Sequence, residues 1–419
     1  MAVFAGGWTL PDAVAVAGED ADEFEVLDLL TRLADKSLVT VDREAGGEAR
    51  YSTLETVRQF ALELLNQSPE RDAVRDRHLD RFIAFVEEFE RLRTAGAAEA
   101  FGPLMDRELE NVLAAHVWCG EARDGALRGL RLVKGLRRYW ADRSLLELGK
   151  RIFGEALQRA SALRETAEYS HLLAGLSDVH YFRGEYAESA AAGREALAVA
   201  RVIGDRGTIL SALDAASCAV YSLGDSDDEA RALCEEFVAL AREHGESRWL
   251  MGSLTYLSEI RRASGDLAGA LELYDELLPK SKDASNASLA ITHSNITMIH
   301  VALGNTDGWK PALASAAADA EGAASRRIST AFLETAASAA ESFGRPDLTA
   351  RFYGASLQQM ARSVCLPYIS CCPFPAAGRL DSIGGQGLAV PAWGPRSGSR
   401  GRSCERSGDG AAWPGGGAR

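Results

Sequence analysis

Lysine is nearly missing from this chain: only Lys36, Lys134, Lys150, Lys280, Lys282 and Lys310 occur, and arginine supplies the rest of 46 basic residues. Against 60 acidic residues this leaves a formal net charge of −14, so the molecule as a whole repels nucleic acid and anionic membrane surfaces. Arginine in place of lysine, with abundant alanine, fits a GC-rich coding sequence. Aromatic residues make up only 7%, which suits close-packed helices better than a large aromatic core. The seven cysteines are odd in number and none has the CxxC spacing of a zinc site. A reducing cytoplasm is the expected setting. No apolar run approaches the 18 residues of a membrane span, and Met1–Gly7 lacks the basic and apolar regions of a signal peptide.

Chemistry is also thinly represented. A nucleotide site needs a glycine-rich loop ending in Lys-Ser or Lys-Thr, and none is present; Gly149-Lys150-Arg151 reads as the solvated face of a helix. His293 and His300 share a helix face but stand seven apart, where a metal pair wants three or four. No Ser-His-Asp or Cys-His grouping emerges from spacing. The expectation is a protein without catalytic activity, metal or cofactor of its own.

What the chain has is a repeat. Gly184, Gly224, Gly265, Gly304 and Gly344 mark turns at intervals of 40, 41, 39 and 40 residues. Each lies between two apolar, Ala-rich segments, and helix, glycine turn and helix repeated at this period is the signature of an α-solenoid. Its helices should run about 15 to 18 residues, roughly 24 Å, longer than a standard TPR allows. Counting back one period from Gly184 reaches Ser144, where the glycine is missing, as suits an atypical terminal repeat. Tyr181, Tyr221, Tyr256, Arg261, His293 and Asn295 are candidates for lining the solenoid groove, although packing between helices competes for each of them. A lysine- and asparagine-based clamp for peptide C-termini is not expected.

Ahead of the repeats, residues 1–66 read as a small helical module with a two-stranded wing. Helices are predicted at Pro11–Ala17, at Glu23–Lys36 and from Thr56, with strands at Leu38–Val41 and Arg50–Leu54 around a turn at Ala45–Glu48. This module carries more than twice as many acidic as basic residues, the wrong sign for gripping DNA phosphates. Residues 67–125 form a helical connector, 126–365 the solenoid, and 366–419 a Gly-, Pro-, Arg- and Ser-rich tail whose composition cannot bury a core. A reading-frame change near Leu366 would explain that tail. The whole is expected to be mainly α: a winged helix, then TPR-like helix pairs, then disorder.

The strings VFAGGWTL, VLDLLTRLADKSLV and RYSTLETVRQFALELL, with DRELENVLAAHVWC in the connector, resemble the winged-helix region of bacterial STAND/NB-ARC-type transcriptional regulators. The resemblance runs in order from residue 1 to about 360. It implies an ATPase upstream, so that ATP or ADP would sit outside this chain, and a LuxR-type, SARP-type or cyclase-like output domain. It also implies a solenoid that takes up a protein or small-molecule effector. At the family's nucleotide-sensing Met-His-Asp motif this chain places Leu54 and Glu55, and Leu54 cannot bond a phosphate. Glu55 and Arg58 become candidates for an interdomain switch contact, beside the plainer role of Glu55 as a favourable charge at a helix N-terminus. A free-standing solenoid adaptor that scaffolds protein contacts is the alternative function.

Overall fold

The computed structural model describes residues 1–18, 22–43, 49–92, 98–224, 227–282, 284–323 and 325–361. The expected tail and the expected wing turn lie outside these residues. Among the described residues eighteen α-helices and three short strands occur, so the chain is mainly α.

The N-terminal module begins with β1 (Trp8–Thr9), which pairs with β3 (Ala49–Ser52); β3 in turn pairs with β2 (Thr40–Arg43), giving an antiparallel sheet of order β1-β3-β2. The sequence pattern announced two strands, at Leu38–Val41 and Arg50–Leu54, which the structure places at Thr40–Arg43 and Ala49–Ser52; it did not announce β1, which is two residues long and has no alternation to read. Helix α1 (Leu10–Ala17) opens on a capping box in which Thr9 and Asp12 bond each other's backbone N–H groups. Helix α2 (Glu23–Asp35) buries Val26 and Leu30. Helix α3 (Glu55–Asn66) carries an apolar stripe of Val57, Phe60, Ala61, Leu64 and Leu65, yet Phe60 and Leu64 are more than half exposed and none of its residues is buried.

Helices α4 (Arg71–Leu92) and α5 (Ala98–Trp118) form the connector. His78, Phe82, Val86 and Phe89 are buried on one face of α4, as their spacing predicts. Asn111 of α5 is fully buried and ties the module to the connector. Its Oδ1 accepts from the backbone N–H of Ala5 at 2.8 Å, and its Nδ2 donates to the carbonyl of Gly7 and to Glu108 Oε2, both at 2.8 Å. Arg50 of β3 completes the joint by donating to Glu108 Oε1 at 2.5 Å and to the Gly6 carbonyl at 2.7 Å. Phe4 and His78 pack edge to face beside it.

Five helix pairs follow: α9/α10 (Ala167–Phe182, Tyr186–Ile203), α11/α12 (Arg206–Leu223, Asp227–His244), α13/α14 (Ser247–Ala263, Leu267–Leu277), α15/α16 (Asn286–Ala302, Thr306–Gly322) and α17/α18 (Arg326–Ser342, Pro346–Ala361). All five turn glycines have positive φ, between 65° and 88°, a conformation open to glycine at no steric cost. Beyond Gly184, Gly265, Gly304 and Gly344 the next backbone N–H returns to the carbonyl five residues earlier, closing each first helix with a Schellman-type bond. Most helices have the predicted length. Helix α14 is shorter, 11 residues, because Pro279 has no N–H to continue the ladder and forces a 3-10 turn at Leu278–Lys280.

A preceding incomplete repeat spans α6 (Gly125–Lys134), α7 (Tyr139–Asp142) and α8 (Leu146–Arg159). Ser144 sits at φ 59°, and Leu145 N–H bonds the Trp140 carbonyl at 2.8 Å, so serine takes the place of the turn glycine. The apolar pattern through Leu136–Trp140 reads as one continuous helix, but the chain breaks between α6 and α7. Gly135 lies against Val86 of α4, where a Cβ would come within 2.6 Å of Val86 Cγ1.

First helices pack on first helices along the stack, α9 on α11, α11 on α13 and α15 on α17. Ser177, Ser217, Ser258, Thr297 and Ala337, each seven residues before a turn glycine, are essentially unexposed. They are small because the second helix crosses there. Ser177 Oγ donates to the Ser189 carbonyl at 2.8 Å, and Ser258 Oγ to the Ala270 carbonyl at 2.7 Å. Second helices are joined at their surface by arginine–glutamate pairs: Arg194–Glu229, Arg201–Glu236 and Arg242–Glu276.

Candidate functional site

Helix α9 carries two acidic residues, Glu168 and Asp178, and α11 only Asp214, so the partners of these last two carboxylates stand out. The break between α6 and α7 projects Arg137 and Arg138 onto α9 and α11. Arg137 Nε donates to Asp178 Oδ2 at 2.6 Å, its Nη1 to Ser211 Oγ at 3.1 Å, and its Nη2 to Asp178 Oδ1 at 3.2 Å and Asp214 Oδ2 at 3.3 Å. Burial alone would lower the Arg137 pKa, but the carboxylates of Asp178 and Asp214 outweigh it and the net shift is upward. Arg138 is raised too, first by Asp178. It lies farther out, with 34% of its side chain exposed, 3.5 Å from Asp214 and 3.7 Å from Asp178. Tyr256 of α13 donates to Asp214 Oδ1 at 3.3 Å. Gly252, one turn from Tyr256, leaves room for that oxygen, since a Cβ there would approach it to 3.0 Å.

Four elements therefore converge on one charge-balanced patch: the α6–α7 break, α9, α11 and α13. The neighbouring His171 is pushed down to about 4 by burial and by Lys134 and Arg137, so its imidazole is neutral at pH 7. From the other end of the stack Arg327 of α17 reaches Asp142 at 3.8 Å and lies over the Phe182 ring at 5.4 Å. No cluster of metal-ligating side chains occurs among the described residues.

Of the groove candidates, the structure brings only Tyr256 to this patch. Tyr181 packs against Phe182 and Tyr186 beside the first glycine turn. Tyr221 is half-buried against the core. Arg261 donates to the Gly269 carbonyl at 3.0 Å and lines a cleft of about 680 Å³ between α12, α13 and α14, with Arg231, Glu235, Arg242, Asp266 and Glu272. His293 joins α15 to α16 through Asp319 at 2.7 Å. Asn295 is buried and donates to the Tyr274 hydroxyl at 3.0 Å. In the N-terminal module Glu55 and Arg58 pair with each other at 2.8 Å on α3. That bond lowers the Glu55 pKa and raises that of Arg58.

Sequence reasoning passed over Arg137, Arg138, Asp178 and Asp214. Asp178 and Asp214 were visible as lone acids in apolar first helices, a weak signal. The arginines were hidden because no spacing in the sequence marks the break that aims them.

No family model matches the sequence. A protein of Mycobacterium tuberculosis, strain H37Rv, named as a candidate HTH-type transcriptional regulator is 33% identical over 280 residues, which is 61% of this chain and 29% of that protein. Its Mycobacterium bovis counterpart gives the same figures. The chain thus spans under a third of the length of these curated relatives. Among solved structures, a Rap protein complexed with Competence and Sporulation Factor superposes with a TM-score of 0.51 at 12% identity, covering 74% of this chain and 85% of that one. The apo form of RapI gives a TM-score of 0.51 at 12% identity, covering 62% and 92%. The chain is a TPR-like helical solenoid.

Proposed function

We propose that residues 1–361 are the sensor and interaction region of a STAND-type transcriptional regulator, working in the cytoplasm by binding and not by catalysis. The observation that carries this reading is the patch of Arg137, Arg138, Asp178, Asp214 and Tyr256, built from four elements. Partly buried charge of this kind costs solvation, and a recognition surface gives it a use that packing alone does not. The regulator-like relatives support the reading, as does the Rap fold neighbour, which was solved with a bound factor.

In this reading the helix–strand module at residues 1–66 is a winged helix that relays the state of the solenoid to an ATPase segment. ATP or ADP belongs to that segment, outside the residues described. Effector binding shifts a two-state equilibrium only as far as its affinities for the two states differ. The module itself is not the DNA reader, given its acidic charge.

Thermal-shift measurements on the purified chain with peptide and metabolite collections test the proposal. At least one compound should raise the melting temperature, and Asp214→Ala should abolish that rise. Heat released on titration with ATP would overturn the assignment of the nucleotide to another segment. Stabilisation indifferent to Asp214 would overturn the site.

A further inference from the structure

The Arg137 patch is not uniformly tight, and the difference identifies a ligand chemistry. Charge-assisted bonds ordinarily run at about 2.7–2.9 Å. Arg137 meets that standard with Asp178 at 2.6 Å. Asp214 does not: its three contacts, from Arg137, Arg138 and Tyr256, measure 3.3, 3.5 and 3.3 Å. Arg138 has five N–H donors and reaches its carboxylates only at 3.5 and 3.7 Å. One firm pair thus supports a loosely held acceptor, Asp214, whose side chain keeps 13% of its surface exposed, and beside it a loosely held donor, Arg138, at 34%.

The charges of Arg137 and Arg138 cancel those of Asp178 and Asp214. A phosphate-rich ligand, which needs net positive charge, gains nothing here, and neither does a simple cation. A group that offers a donor and an acceptor on one edge fits both loose partners at once, and the amide is that group. An extended chain presents amides along its length at about 3.3–3.6 Å per residue. We infer that Asp214 and Arg138 bind the main chain of an extended peptide, Asp214 accepting a backbone N–H and Arg138 donating to a backbone carbonyl, while Arg137 and Asp178 hold the two in place. The site is therefore tolerant of the peptide's side-chain charge. This inference rests on the effector-binding role proposed above and names its ligand class.

The test is capture of a pooled library of short synthetic peptides, divided into basic, neutral and acidic sets, on the immobilised full chain. Single-stranded DNA serves as the anionic control. The wild type should hold members of all three sets and no DNA. Asp214→Asn and Arg138→Gln, each checked for an unchanged melting temperature, should weaken all three sets by about ten-fold, the loss of one charged hydrogen bond. Backbone N-methylation of captured peptides should also release them. Should Asp214→Asn fail to fold, Arg138→Gln decides, since its side chain is one-third exposed. Capture confined to one charge set, or variants that bind like the wild type, would overturn the main-chain site and leave the effector reading standing. A wild type that holds no peptide at all would overturn this inference, and stabilisation by a metabolite in the thermal-shift assay would then separate its failure from that of the effector reading.

Discussion

Ser144 shows how much one residue can be asked to do. It occupies a left-handed backbone conformation at φ 59° and closes the same turn that glycine closes in the other repeats. That conformation costs a non-glycine residue about 1–2 kcal/mol, while glycine concedes about 0.5–1 kcal/mol in unfolded-state entropy. Ser144→Gly should therefore stabilise the fold by about 0.5 kcal/mol, read as a higher midpoint in chemical denaturation. Asn111 is the opposite case, a side chain whose bonds no other residue supplies. Asn111→Ala would strand the Ala5 N–H, which is half-buried, and the buried Gly7 carbonyl, at about 2–4 kcal/mol together. The expected outcome is early proteolytic cleavage of the N-terminal strand in limited digestion, with the helix pairs still intact.

At the scale of elements, contact between helices is set by the smallest residues. Gly193 on α10 meets the backbone of α11, and a Cβ there would stand 2.9 Å from the Ala216 Cα, which has no flexible end to yield. Gly193→Val should cost about 1–3 kcal/mol through overpacking. Gly154 on α8 faces open space, and Gly154→Ala should instead gain about 0.5–1 kcal/mol from helix propensity alone. Urea denaturation of the two variants side by side separates the steric term from the propensity term; a neutral Gly193→Val would mean that α10 and α11 can slide apart. The amphipathic period of α3 was plain in the sequence, yet Phe60 and Leu64 of its stripe are exposed while Val57, Ala61 and Leu65 are half-buried. Periodicity states which residues share a face and says nothing of whether another element covers it. Asn295 was similarly visible as a polar residue on a first helix, but its bond to Tyr274 belongs to packing between pairs.

Across the whole molecule the two ends of the described chain respond to acid with opposite sign. Burial holds the His78 imidazole neutral, its pKa down from 6.5 to about 4. The unfolded chain takes up this proton below about pH 6.5 and the native one refuses it. Stability around α4 therefore falls as pH drops from 6.5 toward 4, by up to about 1.4 kcal/mol per pH unit. Glu334 on α17 has its carboxyl pushed from 4.5 up to about 7 by burial, partly opposed by the Ser356 hydroxyl. Here the unfolded chain releases its proton first, so stability is greatest below pH 4.5 and is lost as pH rises through 7. Amide exchange, corrected for intrinsic rates, should show α4 better protected at about pH 8 than at about pH 5, and α17 the reverse. Two ends shifting together would show that they unfold as one cooperative unit, contrary to the nearest-neighbour behaviour of stacked repeats.

The repeat needed nothing but the sequence. A left-handed turn demands glycine, a close helix crossing demands a small residue, and both recur at the period of the stack, so Gly184 through Gly344 announced the helix pairs and even located the turn at Ser144. The patch around Asp214 could not be read that way. Arg137 and Arg138 belong to no period; they reach α9 and α11 because helix α6 ends at Gly135, which lies against Val86 of α4. Local propensity and spacing fixed the elements. Contacts between residues far apart in the chain decided where charge collects, because partners drawn from four elements share no interval that a single sequence displays.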